Sequence, residues 1–90
     1  MLTVNELKYA ALKFEGAVGN TMSDLEYDWL KVIQGLSGKT LNELWISEFI
    51  SVGATPAPWN SMAFQFLGIQ GATAKTLSGR WYQFWLLLAP

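Results

Sequence analysis

Apolar residues recur at helical spacing in five successive stretches of the chain: Leu7, Ala11 and Phe14; Leu25, Trp29 and Val32; Trp45, Phe49 and Val52; Met62, Phe66 and Ile69; Phe84 and Leu88. Steps of three and four residues put each set on one stripe of an α-helix. A second column, Tyr9, Tyr27, Ile46, Phe64 and Tyr82, widens that stripe, as a helix contacted by neighbours on two sides requires. Sustained period-two alternation between turn signals is missing, so no strands are predicted. The pattern predicts helices near 3–15, 21–34, 40–52, 59–70 and 76–88.

Punctuation between these stretches repeats as well. Thr3, Thr21, Thr40, Pro58 and Thr76 stand 18, 19, 18 and 18 residues apart. An apolar residue and then Asn or Ser follows each of them. In the first three units an acid comes third after the threonine, giving Thr3-x-x-Glu6, Thr21-x-x-Asp24 and Thr40-x-x-Glu43. A threonine hydroxyl there accepts from an unpaired backbone N–H, and the carboxylate favours the positive end of the helix dipole. Pro58 suits the first turn of a helix, where its missing N–H costs nothing. Thr76 has Gly79 at the acidic position, which predicts a weaker start. Gly16, Gly35, Gly53 and Gly71 then mark the helix ends, where a left-handed residue commonly closes the last turn.

The expected fold is therefore all-α: five short helices in tandem helix-turn repeats, one domain over 1–90 with units near 3–20, 21–39, 40–57, 58–75 and 76–90. A helix of about 12 residues is marginal alone in water. Packing between units must hold it, either as a compact bundle or as a short array.

Composition narrows the function. Of 90 residues 51% are apolar and 14% charged, against about 25% charged in an ordinary soluble domain, so some apolar surface is expected to meet a partner. The net charge of −1 supplies no field for nucleic acid. Cysteine and histidine are absent, which removes thiolate sites, the commonest general base and the commonest metal ligand. No catalytic residues, cofactor or metal site are predicted, and an enzyme is the least favoured class. The amino-terminal MLTVNELKYAALKFEG carries Asn5, Glu6 and Lys8 and reads as the first helix, not as a targeting segment. The apolar tract from Trp81 to Pro90 is too short for a bilayer.

Charge is distributed unevenly. All seven acidic residues lie at or before Glu48, and only Lys75 and Arg80 are charged beyond it. The same half carries most of the aromatic side chains. Consecutive aromatics on a helix cannot all face one core, and Trp and Tyr often anchor interfaces. Trp59, Phe64, Arg80, Trp81, Tyr82, Phe84 and Trp85 are accordingly the candidate partner-binding residues.

Other motifs carry less. GLSGKT at Gly35 to Thr40 resembles the end of a phosphate-binding loop, but Ile33 stands where that loop needs its first glycine. A glycine stop, a turn and a threonine cap account for the same residues. Gly35-x-x-Gly38 lacks the strands and basic charge of a nucleic-acid clamp. Asp24, Glu26 and Asp28 are expected on a solvated helix face, with no second cluster to complete a site.

Stretches such as TLNELWISEFISVGAT, TMSDLEYDWLKVIQGLSGKT and TLSGRWYQFWLLLAP resemble short tandem helical units in virion proteins of tailed bacteriophages. The resemblance implies a non-enzymatic structural component located in the virion, either capsid decoration or a tail, fibre or neck accessory. Its implied partner is a capsid or tail protein, or further copies of the chain. Two alternatives are a soluble helical adaptor or glycan-binding module and a peripheral membrane protein, although the end of the chain lacks the lysine-rich face of interfacial helices.

Overall fold

The computed structural model describes residues 2–89. Five helices follow the repeat: α1 (Val4–Phe14), α2 (Met22–Asp28, continuing through a π-helical turn at Trp29–Ile33), α3 (Leu41–Ser51), α4 (Trp59–Ile69) and α5 (Leu77–Leu88). Thr3, Thr21, Thr40 and Thr76 are N-caps whose hydroxyls accept from the backbone N–H three residues on, and Glu6 and Glu43 complete capping boxes. Pro58 occupies the N-cap itself, just outside the first turn, with no side-chain cap bond. The start of α5 is capped like the others: Gly79 N–H donates to Thr76 Oγ1 at 3.1 Å. Its glycine answers the connector, since a Cβ at Gly79 would stand 2.8 Å from the Ala74 Cβ. Gly19 and Gly38 show the converse arrangement, with the connector bare where Asp24 and Glu43 carry side chains.

Each of the first four helices ends the same way. Gly16, Gly35, Gly53 and Gly71 take φ of 95°, 72°, 111° and 102°. The next residue folds back, so that Ala17, Ala54 and Ala72 N–H donate to Leu12, Phe49 and Leu67 O five positions earlier, the bond pattern of a Schellman stop. In α2 the equivalent bond spans six positions, from Leu36 N–H to Leu30 O. That is where the 19-residue spacing goes: the extra residue is absorbed as a π-helical turn, and the interface spacing is preserved.

The connectors then run back along the outside of the following helix. Val18 N–H reaches Asp28 Oδ2 (2.9 Å), Ser47 Oγ reaches Ser37 O (3.0 Å), Thr55 N–H reaches Gln65 Oε1 (3.0 Å) and Thr73 N–H reaches Gln83 Oε1 (2.9 Å). In every case the partner is the seventh residue after the cap. The chain therefore returns to the same end before each helix begins, and all five helices run in one direction. Residues at matching heights meet across the middle, as Trp45 does with Trp81 (5.3 Å between ring centres) and Trp29 with Phe84 (6.5 Å).

Helix packing follows chain order from α1 to α5, and α1 packs on α5, so the array closes into a ring. Its overall extents of 34 × 31 × 16 Å describe a disc about one helix thick, since 11 residues rise roughly 16 Å. Leu12, Leu30, Phe49, Leu67 and Trp85, nine residues after their caps, are all buried. This column, together with Leu7, Leu25, Leu44 and Met62, seals neighbouring helices. The stripe expected from the apolar pattern needs correcting at its ends. Phe14, Val32 and Ile69 lie in last turns beyond the thickness of the core and are exposed, as are Tyr9 and Tyr27 from the second column.

Candidate functional site

A ring of parallel helices has two axial mouths, one at the shared amino ends and one at the shared carboxyl ends. Five helix dipoles add in the same sense, making the first mouth electropositive and the second electronegative. Clefts of about 320 Å³ and about 200 Å³ open at them, and each is lined by residues from all five units.

At the amino-end mouth, residues five positions after the caps meet. Lys8 Nζ pairs with Glu26 Oε1 at 2.7 Å, and Trp45 Nε1–H donates to the same oxygen at 3.1 Å. Glu26 is thus buried, which corrects the expectation that it lies on a solvated face. Asp24 stays exposed, and Asp28 holds the first connector. Trp59 and Trp81 are half-buried beside this pair, with Asn5 and Ser78 on the rim. The buried Trp59 Nε1–H has no hydrogen-bond partner among the described residues.

At the carboxyl-end mouth, residues eight and twelve positions after the caps meet. Trp29, Phe66 and Phe84 form the apolar wall, and Glu15, Glu48 and Gln70 are the polar groups. Glu48 is only 7% exposed. Burial pushes its carboxyl above the usual glutamate range, opposed by a weak bond from Ser51 Oγ at 3.4 Å. Trp29 is 3% exposed, and its indole N–H also lacks a partner among the described residues.

The predicted partner-binding residues divide between these roles. Phe84 and Trp85 are 5% and 2% exposed and pack among Trp29, Phe66 and Trp81, so neither offers surface to a partner. Consecutive aromatics are accommodated because a closed ring gives α5 neighbours on both flanks as well as at the axis. Arg80 is a structural clasp: its guanidinium donates to Ala74 O (2.7 Å) and Phe64 O (3.0 Å) and lies over the Phe64 ring at 3.6 Å. Tyr82 is partly buried against the core. Trp59 and Trp81 reach the amino-end cleft with part of their surface free, and Phe64, also half-buried, borders a separate open groove beside Asn60 and Leu77.

The exposed apolar side chains lie elsewhere. Phe14, Val32, Ile50, Ile69 and Leu87 stand one in the last turn of each helix, between 48% and 69% exposed. In sequence these residues are scattered through the amphipathic pattern. Only the parallel direction of the helices gathers them into a collar around the carboxyl-end mouth.

Among the described residues no group of three acidic, histidine or cysteine side chains is placed to hold a metal, and no helix is long and apolar enough to cross a membrane. The structure defines the class as a closed ring of five parallel single-helix repeats. Comparison with protein families, with characterised proteins and with solved structures found no match to this chain.

Proposed function

We propose that the protein is a non-enzymatic structural component of a tailed-phage virion that docks on a larger assembly through the collar at its carboxyl-end face. The collar carries the reading: five large apolar residues, one in the last turn of each helix, exposed at the carboxyl-end edge of the ring. Large apolar side chains exposed together at one end of a small protein mark an interaction site. A 34 × 31 Å disc presents a face of roughly 800 Å², the share one partner contributes to a standard interface. The repeat chemistry shared with phage virion units supports the setting. Here the docking surface is the collar and not the aromatic half as a whole, since that half is largely core.

The test is incorporation into particles. Val32→Asp and Leu87→Asp replace exposed residues, so each should change folding stability by no more than about 0.5 kcal/mol. The pair should abolish recovery of the chain in purified virions while the melting temperature holds. Normal incorporation of the folded double variant would sink the docking surface. Mass spectrometry that finds no such chain in the particles would sink the virion setting.

The amino-end mouth supports a second reading, binding of a carbohydrate. Partly free Trp59 and Trp81 rings beside Asn5, Ser78 and the Lys8–Glu26 pair combine a flat apolar platform with convergent hydrogen-bonding groups. A tryptophan fluorescence change that saturates with monosaccharide and disappears in Trp59→Ala would favour it.

A further inference from the structure

The five apolar side chains of the carboxyl-end collar have counterparts at the opposite edge of the disc. Val4, Met22, Leu41, Trp59 and Leu77 each open a helix, and all five are half-buried, so part of each apolar side chain stays open at the amino-end edge. The residue after each is small, uncharged and exposed: Asn5, Ser23, Asn42, Asn60 and Ser78. Two of the acids that follow are turned back onto their own caps, Glu6 accepting from the Thr3 N–H at 2.8 Å and Glu43 from the Thr40 N–H at 3.0 Å. The neighbouring helices α4 and α5 differ from the rest in charge. Neither has an acidic residue in its first turn or a basic one in its last, so their dipoles end uncompensated at both faces.

We propose that the collar receives the amino-end face of a second copy of this chain, the discs stacking head to tail with all helices pointing the same way. The inference rests on the reading of the collar as a docking surface and names its occupant. Charge selects the direction. Head to tail, the electronegative carboxyl ends of α4 and α5 meet an electropositive amino-end face, whereas two collars pressed together would set like ends against each other. Apolar matching agrees, because the same five helices supply both sets and each set follows the same order around the ring. Area agrees as well: a 34 × 31 Å face is roughly the 800 Å² that one partner of a stable complex buries. The two joined faces are different surfaces, so adding a copy leaves one of each kind open, and the stack has no closed end point.

Sedimentation of the isolated, full-length chain from about 10 μM to 1 mM tests this. The average mass should climb with concentration and pass beyond two copies. Asn60→Asp with Ser78→Asp puts acids in the first turns of α4 and α5, which favours the helices themselves but sets negative charge against the electronegative face of the next copy. This amino-face variant should keep or raise its melting temperature while associating about tenfold more weakly. Val32→Asp with Leu87→Asp disables the collar instead and should leave the chain monomeric. Mixed together, the two variants should give dimers and nothing larger, since the first keeps its collar and the second its amino-end face. Stacking is overturned by a chain that stays monomeric at 1 mM, by association that stops at two copies, or by a mixture no heavier than its components. A monomeric chain whose incorporation into particles still depends on Val32 and Leu87 would overturn stacking and leave the collar as a docking surface for another protein. Undiminished stacking by the Val32→Asp, Leu87→Asp variant would overturn both.

Discussion

Glu26 and Glu48 show how two buried carboxylates of equal exposure differ by their partners. Glu26 is matched by Lys8 and by the Trp45 N–H. Removing Lys8 alone leaves a buried charge without a counter-ion, and Lys8→Met is expected to cost about 3 kcal/mol. Adding Glu26→Gln should recover most of that loss, because the amide oxygen still accepts from Trp45 while no charge remains. Denaturant unfolding of both variants checks this, and a double variant no more stable than Lys8→Met would refute it. Among the described residues Glu48 has only a weak bond from Ser51, and burial raises its folded pKa. Its neutral form is the one the fold prefers, so its contribution is full below the ordinary carboxylate pKa and is lost as pH rises through the raised value. Glu48→Gln should therefore raise the melting temperature at neutral pH by about 2–4 °C, with the gain vanishing in acid. Glu6 and Glu43 behave oppositely. Backbone N–H donors at Thr3 for the first, and at Lys39 and Thr40 for the second, lower their pKa values, so their capping contribution is present above the ordinary carboxylate pKa and is lost as pH falls through the lowered ones.

At the scale of one element, the repeat is a helix plus the connector that returns along it. Caps and stops were legible in the sequence because they rest on local chemistry: a threonine accepts an N–H three residues away, and a glycine takes a left-handed turn wherever it ends a helix. The clamp between connector and helix was not. Asp28, Ser47, Gln65 and Gln83 share a column, but they are four polar positions of three residue types on what otherwise reads as a solvated face. Gln83→Ala should cost about 1 kcal/mol, and the Thr73 and Ala74 amides it accepts from should lose hydrogen-exchange protection. The π-helical turn in α2 makes another prediction. Since it stores the one surplus residue of the second unit, deleting Val32 should let α2 continue as a regular helix, with helical content unchanged and stability lowered by less than about 1 kcal/mol. Deleting a residue from the middle of α3, which has no surplus, should unfold the protein. Circular dichroism melts distinguish the two.

In the whole molecule the decisive contact is α1 against α5, because it turns five marginal units into one closed body. An open array loses stability by increments as repeats are removed, whereas a ring loses two interfaces at once. Truncation before Thr76 should therefore leave a chain without a cooperative thermal transition, and not a shorter stable array. The chain's own pattern determined the all-α class, the five units, their caps and their stops, since each of these depends on residues within about one turn of one another. It also located the aromatic residues, but not their use. Helix direction, ring closure and the meeting of equal heights along an axis depend on residues tens of positions apart, and a periodic apolar stripe is equally compatible with an open array. Tertiary structure alone decided that Phe84 and Trp85 are core, that Glu26 is paired and Glu48 is not, and that the last-turn residues Phe14, Val32, Ile50, Ile69 and Leu87 form one collar. The physical reason is common to all three: a side chain's surroundings are set by which helices close around it, and closure is a property of the assembled ring.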